Sequence, residues 1–173
     1  MTPDQYQQQA LRTASTALGP DMEMAVRALG LCGETSELSS ERDPDAIEKE
    51  AGDVLWYVAT LASSAGITMS EILGPLSFSE FQVVVSVQDP DLAPEEKLME
   101  AAGRVAEAVK KKVGHGKSLD RTRFIVDLSE VMDLVARITD LYYINLDSVA
   151  DGNVKKLQAR YPSGFDVEIS SNL

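Results

Sequence analysis

The stretch that decides the fold runs from residue 28 to residue 62 and reads ALGLCGETSELSSERDPDAIEKEAGDVLWYVATLA. It holds two pairs of acidic residues, Glu34 with Glu37 and Glu50 with Asp53, and the members of each pair are three residues apart. Residues at this spacing share one face of a helix. The stretch therefore predicts two helices, each with an acidic face.

A turn signal separates the two pairs. Asp43 followed by Pro44 is typical of a helix N-cap and the first helical position. Two antiparallel helices joined here would bring the four carboxylates together, where they would repel one another unless a cation lay among them. Oxygen ligands of this kind suit a hard ion such as Mg²⁺ or Mn²⁺. We therefore expect a divalent-metal site.

The plainer alternative is two solvated acidic faces over an apolar core. Acidic residues make up 28 of the 173 residues. A pair at this spacing should therefore arise by chance roughly four times, and one pair alone carries no weight. Composition by itself favours this alternative. Gly52 argues against two merely solvated faces. Glycine inside a helix costs on the order of 1 kcal/mol relative to alanine, and it often marks a close backbone approach.

The segments GETSEL at 33–38 and EAGDVLWYVA at 50–59 resemble motifs of the MazG-type all-α nucleoside triphosphate pyrophosphohydrolases. Residues 153–165, NVKKLQARYPSGF, resemble the closing motif of that family. The resemblance covers most of the chain. It implies hydrolysis of a nucleoside triphosphate to the monophosphate and pyrophosphate, with two or three Mg²⁺ or Mn²⁺ ions. The catalytic and metal-binding residues that it implies are Glu34, Glu37, Glu50 and Asp53.

One position departs from the family pattern. Many members carry a glutamate immediately before the first acid, where it is proposed as the general base, and this chain has Gly33 there. The resemblance then implies that the attacking water is activated by the metal or by one of the remaining acids.

Four further residues are candidates for substrate binding. Asn153, Lys156 and Arg160 are three and four residues apart and share a face of the predicted last helix, where they could hold phosphate oxygens. A plain solvated face is an equal alternative. Trp56 follows Asp53 by three residues, and it either packs in the core, which is the safer interpretation, or stacks on the base.

Composition excludes several classes of protein. The net charge of −12 argues against binding to nucleic acid or an anionic membrane, which requires clustered cations. No apolar run reaches membrane-spanning length, and no signal peptide precedes the first predicted helix. The single cysteine excludes an internal disulfide and fits a reducing cytoplasm, the host's if the protein is phage-encoded. The single histidine excludes a multi-histidine metal site.

Helix signals divide the first half of the chain. We expect a first helix that opens at Thr2 and ends at Gly19, a second from about Asp21, a third over about 44–65 and a short one over 68–73. The second half repeats this pattern at a period of roughly 75 residues. Ser77 to Gln82 corresponds to Thr2 to Gln7, and the repeat therefore predicts helix for Val83 to Val85 as well, despite their strand propensity.

The second copy has lost part of the acidic pattern. Arg104 stands where the first copy has Glu34, and Asp127 and Glu130 stand in place of Glu50 and Asp53. An arginine there opposes cation binding. We expect a structural ion pair with Glu107, with a contact to a substrate phosphate as the alternative.

A basic segment follows this arginine. Lys110 to Lys112 and then Gly114 to Lys117 end a predicted helix, where cations complement the helix dipole. The alternative is a loop that touches the triphosphate.

Together these features predict one all-α domain over residues 1–173, a helical bundle with a four-helix-bundle type core, built from two half-units at about 1–74 and 75–173. The second half-unit is degenerate. We expect a metal-dependent nucleotide pyrophosphohydrolase, with a guanine nucleotide as first expectation, that assembles as a homo-oligomer such as a dimer or tetramer. The alternatives are an all-α dUTPase, a phosphoribosyl-ATP pyrophosphatase-like enzyme, or a non-catalytic helical interaction protein.

Overall fold

A computed structural model describes residues 1–74 and 93–165. Over these two ranges the chain is helical and contains no strand, so the predicted all-α class is confirmed. The predicted helix at Val83 to Val85 and the repeat that begins at Ser77 lie outside the described residues. The helices are α1 (Pro3–Leu11), α2 (Pro20–Ser40), α3 (Pro44–Ser64), α4 (Met69–Leu73), α5 (Pro94–His115), α6 (Arg121–Leu141) and α7 (Leu146–Arg160).

Local sequence signals place most helix starts. The Asp43 side chain accepts a hydrogen bond from the backbone N–H of Ala46 at 3.0 Å, and α3 begins at Pro44 as predicted. Thr2 and Gln5 form a reciprocal capping box at the start of α1. Proline also opens α2 and α5, because its missing N–H has no helical partner at that position.

The prediction for the end of the first helix was wrong. We expected this helix to continue to Gly19, and α1 ends at Leu11. Groups distant in sequence hold the terminal carbonyls: the Trp56 indole donates to the carbonyl of Ala10, and the Phe165 backbone N–H donates to that of Arg12. Tertiary contacts therefore satisfy the acceptors that a longer helix would have used.

The core lies among α2, α3, α5 and α6. Helix α2 packs against α3 and α5, and α6 closes the square by contacting α5 and α3. Helices α1, α4 and α7 lie outside this group and pack against α3 and α6. This arrangement confirms the predicted four-helix core. Its largest fully buried side chains include Leu31, Leu38, Leu55, Leu61, Leu98, Phe124 and Leu128.

Two glycines on α2 provide a test of this packing. A methyl group on Gly30 would lie 2.2 Å from the ring of Tyr57, whereas one on Gly33 would meet nothing within 4 Å. We expect Gly33→Ala to stabilise the fold by up to about 1 kcal/mol, the gain in helix propensity. Gly30→Ala should lower the free energy of unfolding, because displacing a packed ring costs about 1–3 kcal/mol and exceeds that gain. Urea unfolding of both variants measures this, and equal effects would contradict the packing.

Among the described residues, every helix is too short or too polar to cross a lipid bilayer.

Candidate metal centre on helices α2, α3 and α7

Three carboxylates converge between α2 and α3. One oxygen each from Glu34, Glu50 and Asp53 lies within 4.8 Å of the others. The two helices run antiparallel around the short turn at 41–43, and the spacing of three on α3 places both of its acids on the side facing α2. We call these three residues the carboxylate cluster.

Glu37, the fourth predicted acid, is exposed and is not a member of this cluster. It lies close enough for its charge to raise the pKa of Glu34. Glu37 therefore stands at the rim of the same negative region, one turn of α2 beyond Glu34.

Excess negative charge remains inside the cluster. The pKa of Glu34 rises to about 7, first because burial disfavours its charged form, and then because of the charges of Asp53, Glu37 and Glu50. Lys156 opposes this shift. A carboxyl group whose neighbours push it toward protonation at neutral pH lies where a cation would be stabilised.

Two lysines already neutralise part of that charge. Lys156 on α7 donates hydrogen bonds to both carboxylate oxygens of Asp53, with Nζ 2.6 Å from Oδ2. The side chain of Lys49 is mostly exposed, and its Nζ donates a hydrogen bond to Oε1 of Glu50 at 2.5 Å. The cluster thus attracts the cations that the chain itself provides.

Asn153 connects the cluster to α1. Its side-chain Oδ1 accepts a hydrogen bond from the hydroxyl of Tyr6 at 2.7 Å, and its Nδ2 lies 3.4 Å from Oδ1 of Asp53. Both Tyr6 and Asn153 are buried. The pair orients Asp53 from the side opposite the solvent.

Gly52 permits this contact. A methyl group at this position would stand 3.0 Å from both Cβ and Nδ2 of Asn153. The close approach that glycine at this position predicts is therefore confirmed, and the approaching element is α7.

The other two substrate-binding candidates have contacts with groups other than the three carboxylates. The indole of Trp56 donates to the carbonyl of Ala10 and to the hydroxyl of Thr13 on the α1 side of the molecule. Arg160 is exposed, with its guanidinium 5.3 Å from the ring centre of Tyr161. Its charge acts on Tyr57, which is in turn near enough to Glu34 for the two to influence each other.

A cavity of about 190 Å³ opens beside the cluster between α3 and α7. Lys49, Asn153 and Lys156 contribute polar groups to its wall, together with Asp45 and Glu48. Two cations and an amide at the mouth of an acidic cluster form a surface on which phosphate oxygens could be held next to a metal ion.

Sequence reasoning missed Tyr6 and Lys49. Tyr6 stands on the apolar stripe of α1, and its hydroxyl contact with Asn153 spans 147 residues. Only the tertiary fold shows that contact. Lys49 precedes Glu50 directly, and this adjacency is a signal that could have identified it.

A divalent ion fits the residues present. The donors are all carboxylate oxygens, which is the set that Mg²⁺ and Mn²⁺ prefer. Their charge is only partly matched by Lys49 and Lys156, as the raised pKa of Glu34 indicates. Glu34, Glu50 and Asp53 would hold the ion, and Glu37 could join them from the rim.

The acids of the second half have a different partner. Arg104 on α5 contacts Glu130 at 2.5 Å and Asp127 at 3.6 Å, both on α6. The expected structural ion pair is present, but the predicted partner was wrong, because Glu107 pairs with Lys110 and Lys111 instead. The guanidinium of Arg104 thus reaches across to α6, where Glu130 gives the shorter contact and the buried Asp127 is also contacted by Arg123 at 3.0 Å.

The raised pKa of Glu34 predicts a pH dependence of stability. The folded protein keeps a proton on this group, with a pKa of about 7, after the unfolded chain has lost it near 4.5. Without divalent ions, stability should therefore fall as the pH rises between these two values. Thermal unfolding in EDTA at several pH values measures the fall, and Glu34→Gln should flatten it. An unchanged pH profile in this variant would contradict the assignment.

Comparison with known proteins bears on the same helices. Residues 24–76 match the family model of the MazG nucleotide pyrophosphohydrolase domain. No curated protein and no solved structure matches the chain. The matched segment contains nearly all of α2, the whole of α3 and α4, and therefore all four predicted acids. The resemblance seen in the motifs at 33–38 and 50–59 is thus confirmed, residues 24–76 of this chain form a MazG-like segment, and the motif at 153–165 lies outside the match.

Proposed function

We propose that this protein is a metal-dependent nucleotide pyrophosphohydrolase that cleaves a (deoxy)nucleoside triphosphate to the monophosphate and pyrophosphate. One observation carries the proposal: the oxygens of Glu34, Glu50 and Asp53 converge within 4.8 Å inside the segment that matches the MazG domain. An all-oxygen site with excess negative charge is suited to the divalent ions that such a reaction uses.

Each residue has a proposed role. Glu34, Glu50 and Asp53 hold the ions, with Glu37 completing the set, and Asn153 with Tyr6 keeps Asp53 in position. Bound Mg²⁺ or Mn²⁺, two or three ions per site, would neutralise phosphate charge and lower the pKa of the attacking water. Since Gly33 offers no carboxylate, one of the four acids would accept the proton of that water, and a bound ion would assist by lowering the water's pKa.

The cavity between α3 and α7 is the proposed site of the triphosphate. Lys156 and Asn153 line it and are proposed to contact phosphate oxygens. Arg160 remains a proposed phosphate ligand from the exposed end of α7. Trp56 remains a proposed contact of the base, although its indole N–H is engaged by α1. A guanine nucleotide is the first candidate substrate.

Release of pyrophosphate from all eight common ribo- and deoxynucleoside triphosphates, with Mg²⁺ and with Mn²⁺, tests the proposal. We expect at least one substrate to give equal amounts of monophosphate and pyrophosphate, and EDTA to stop the reaction. In ¹⁸O-labelled water the label should appear in the monophosphate, because the water attacks the α-phosphorus. Orthophosphate as the product would indicate a different reaction class.

The same assay, extended to dUTP and phosphoribosyl-ATP, separates the alternatives. Activity confined to dUTP would indicate a dUTPase, and activity only on phosphoribosyl-ATP would indicate that sibling enzyme. No turnover together with no metal-dependent change in melting temperature would favour a non-catalytic interaction protein. A net charge of −12 supports the proposal that neither nucleic acid nor a membrane is a partner.

Self-association is proposed as well, and an apolar stripe on α2 supports it. Met22, Val26 and Leu29 are 53%, 46% and 71% exposed at helical spacing, and Leu18 just before the helix is 57% exposed. Adjacent exposed apolar side chains of this kind are typical of protein interfaces.

Light scattering after gel filtration checks this surface. We expect a homo-oligomer, a dimer or tetramer, and we expect Val26→Glu with Leu29→Glu to lower its mass, because two charges would be buried at the contact. Leu141→Glu, at an exposed leucine on α6, is the control and should leave the mass unchanged. A monomeric wild-type protein would refute the proposal.

A further inference from the structure

Tyr6 connects the first helix of the chain to the carboxylate cluster. Its side chain is fully buried, and its hydroxyl donates a hydrogen bond to Oδ1 of Asn153 at 2.7 Å. Asn153 is 4% exposed, and its Nδ2 lies 3.4 Å from Oδ1 of Asp53. Tyr6 and Asn153 both lie outside residues 24–76, the segment that matches the MazG domain. Residues from both ends of the chain therefore meet behind one of the proposed metal ligands.

Packing alone does not decide which end of the Asn153 amide faces Asp53. A methyl group on Gly52 would lie 3.0 Å from both Cβ and Nδ2 of Asn153, so this side chain is held close against α3. The oxygen and nitrogen ends of an amide are nearly alike in size, and their hydrogen bonds distinguish them. The partners on the two sides of the amide therefore determine its orientation.

Tyr6 supplies the donor that this orientation needs. The carboxylate of Asp53 can only accept a hydrogen bond, so the amide nitrogen faces it and the amide oxygen faces Tyr6. Burial, and then the charge of Asp53, raise the pKa of the Tyr6 hydroxyl well above its ordinary value, so the hydroxyl keeps its proton. The two N–H groups of Asn153 are then left for Asp53 and for the cavity that Asn153 lines.

Helix α1, which carries Tyr6, is fixed to the start of α4. The side-chain Oε1 of Gln7 accepts a hydrogen bond from the backbone N–H of Met69 at 3.0 Å. The carboxylate of Asp4 accepts one from the backbone N–H of Ser70 at 2.8 Å. The hydroxyl of Tyr6 is therefore held at a defined position, which a residue that supports a metal ligand requires.

We propose that Tyr6 is a positioning residue of the metal centre. Its hydroxyl holds the Asn153 amide with the nitrogen toward Asp53 and the cavity, and it thereby sets the affinity of the centre for a divalent ion and for phosphate oxygens. An amide oxygen turned toward the centre would instead repel both the carboxylate and a phosphate. The inference rests on the proposed function, because it takes Asp53 as a metal ligand.

Calorimetric titration with Mg²⁺ tests this role without turnover. We expect Tyr6→Phe, which removes only the hydroxyl, to weaken Mg²⁺ binding by about tenfold or more, the usual effect of losing a residue that supports a ligand. Unchanged affinity in this variant would overturn the inference and leave the proposed function in place. A wild-type protein that binds no Mg²⁺ would overturn both.

Ser63→Ala is the matched control. It removes a hydroxyl that accepts a hydrogen bond from the Gln7 side chain at 2.9 Å, and so it loosens the contact between α1 and α3 at a point further along α3 than Asp53. We expect the Mg²⁺ affinity of this variant to equal that of the wild type. Equal weakening in the Ser63 and Tyr6 variants would mean that a loosened α1 is responsible, and would overturn the inference.

A double-mutant cycle checks that Tyr6 acts through Asn153. In the Asn153→Ala background, Tyr6→Phe should change the Mg²⁺ affinity by less than about twofold, because the amide that Tyr6 positions is gone. A further loss as large as in the wild-type background would overturn the inference.

The side-chain amide of Asn153 reports the same contact in the absence of metal. In EDTA, we expect its proton signals in ¹⁵N-edited spectra to exchange slowly with water in the wild type and in Ser63→Ala. In Tyr6→Phe they should shift and exchange faster, because the amide is no longer held from both sides. Unchanged Asn153 signals in Tyr6→Phe would contradict the inference whatever the metal affinity.

Discussion

Glu50→Gln should abolish turnover. Glu50 is 8% exposed and belongs to the three-carboxylate cluster, so the amide removes one charge from the site at nearly constant volume. Substitution of a residue that merely supports a metal ligand typically lowers metal affinity or activity by about 10- to 100-fold. The loss of a ligand itself should therefore lower kcat by more than about 100-fold. Mg²⁺ should then no longer raise the melting temperature more than Na⁺ does at equal ionic strength. The metal-free melting temperature should rise, because one repelling charge is gone.

Glu130→Gln is the matched control. It changes an acid of the second copy, the counterpart of Asp53 in the proposed repeat, where Arg104 already supplies the positive charge. We expect this variant to keep most of the turnover and the full metal-dependent stabilisation. Glu37→Gln should resemble Glu50→Gln if the exposed acid completes the metal site. Equal losses in the Glu50 and Glu130 variants would contradict the view that the second half lacks a metal site.

Lys156→Met should change metal binding and substrate binding in opposite directions. The ammonium group holds both oxygens of Asp53 and so competes with a divalent ion for them. Its removal should tighten Mg²⁺ binding by roughly threefold to tenfold, a modest gain because the side chain is partly exposed to solvent. If the released ammonium normally contacts phosphate, KM should rise by about tenfold, as expected for a lost charge-assisted hydrogen bond.

Calorimetric titration with Mg²⁺ and initial rates measure the two effects separately. Lys155→Met is the control, since it removes the same charge from the adjacent exposed position. We expect that variant to resemble the wild type in both measurements. An unchanged Mg²⁺ affinity in Lys156→Met would show that the contact with Asp53 does not compete with the ion.

The acidic half of the site was predictable from sequence because it depends on helix periodicity. A spacing of three and a capped turn at Asp43 determine which faces of α2 and α3 meet, and Gly52 marks the place where α7 approaches. These signals are local, so short segments of the chain contain them in full.

The polar partners of the acids could not be predicted in the same way. The partners of Asp53, which are Asn153 and Lys156, lie 100 and 103 residues away. Arg104 could reach either Glu107 on its own helix or the acids of α6, and in the structure it contacts the acids of α6. Such choices depend on how helices cross and which groups lose water, and periodicity does not contain that information.

The outward position of Glu37 has the same origin. The spacing of three residues places Glu37 on the same helix face as Glu34. Glu37 is nevertheless exposed, whereas Glu34, one turn away along α2, is half-buried. The sequence therefore identifies the four acids as a set, and the packing of α2 against α3 determines which of them converge and which stays exposed.

Crystals grown with Mn²⁺ and a triphosphate analogue that cannot be cleaved between the α and β phosphates test the central claim most directly. Anomalous scattering locates the ions without reference to activity. The account predicts Mn²⁺ coordinated by Glu34, Glu50 and Asp53, with Lys156 turned from Asp53 toward the phosphates. Ions bound instead by Asp127 and Glu130, or a triphosphate bound away from the carboxylate cluster, would contradict it.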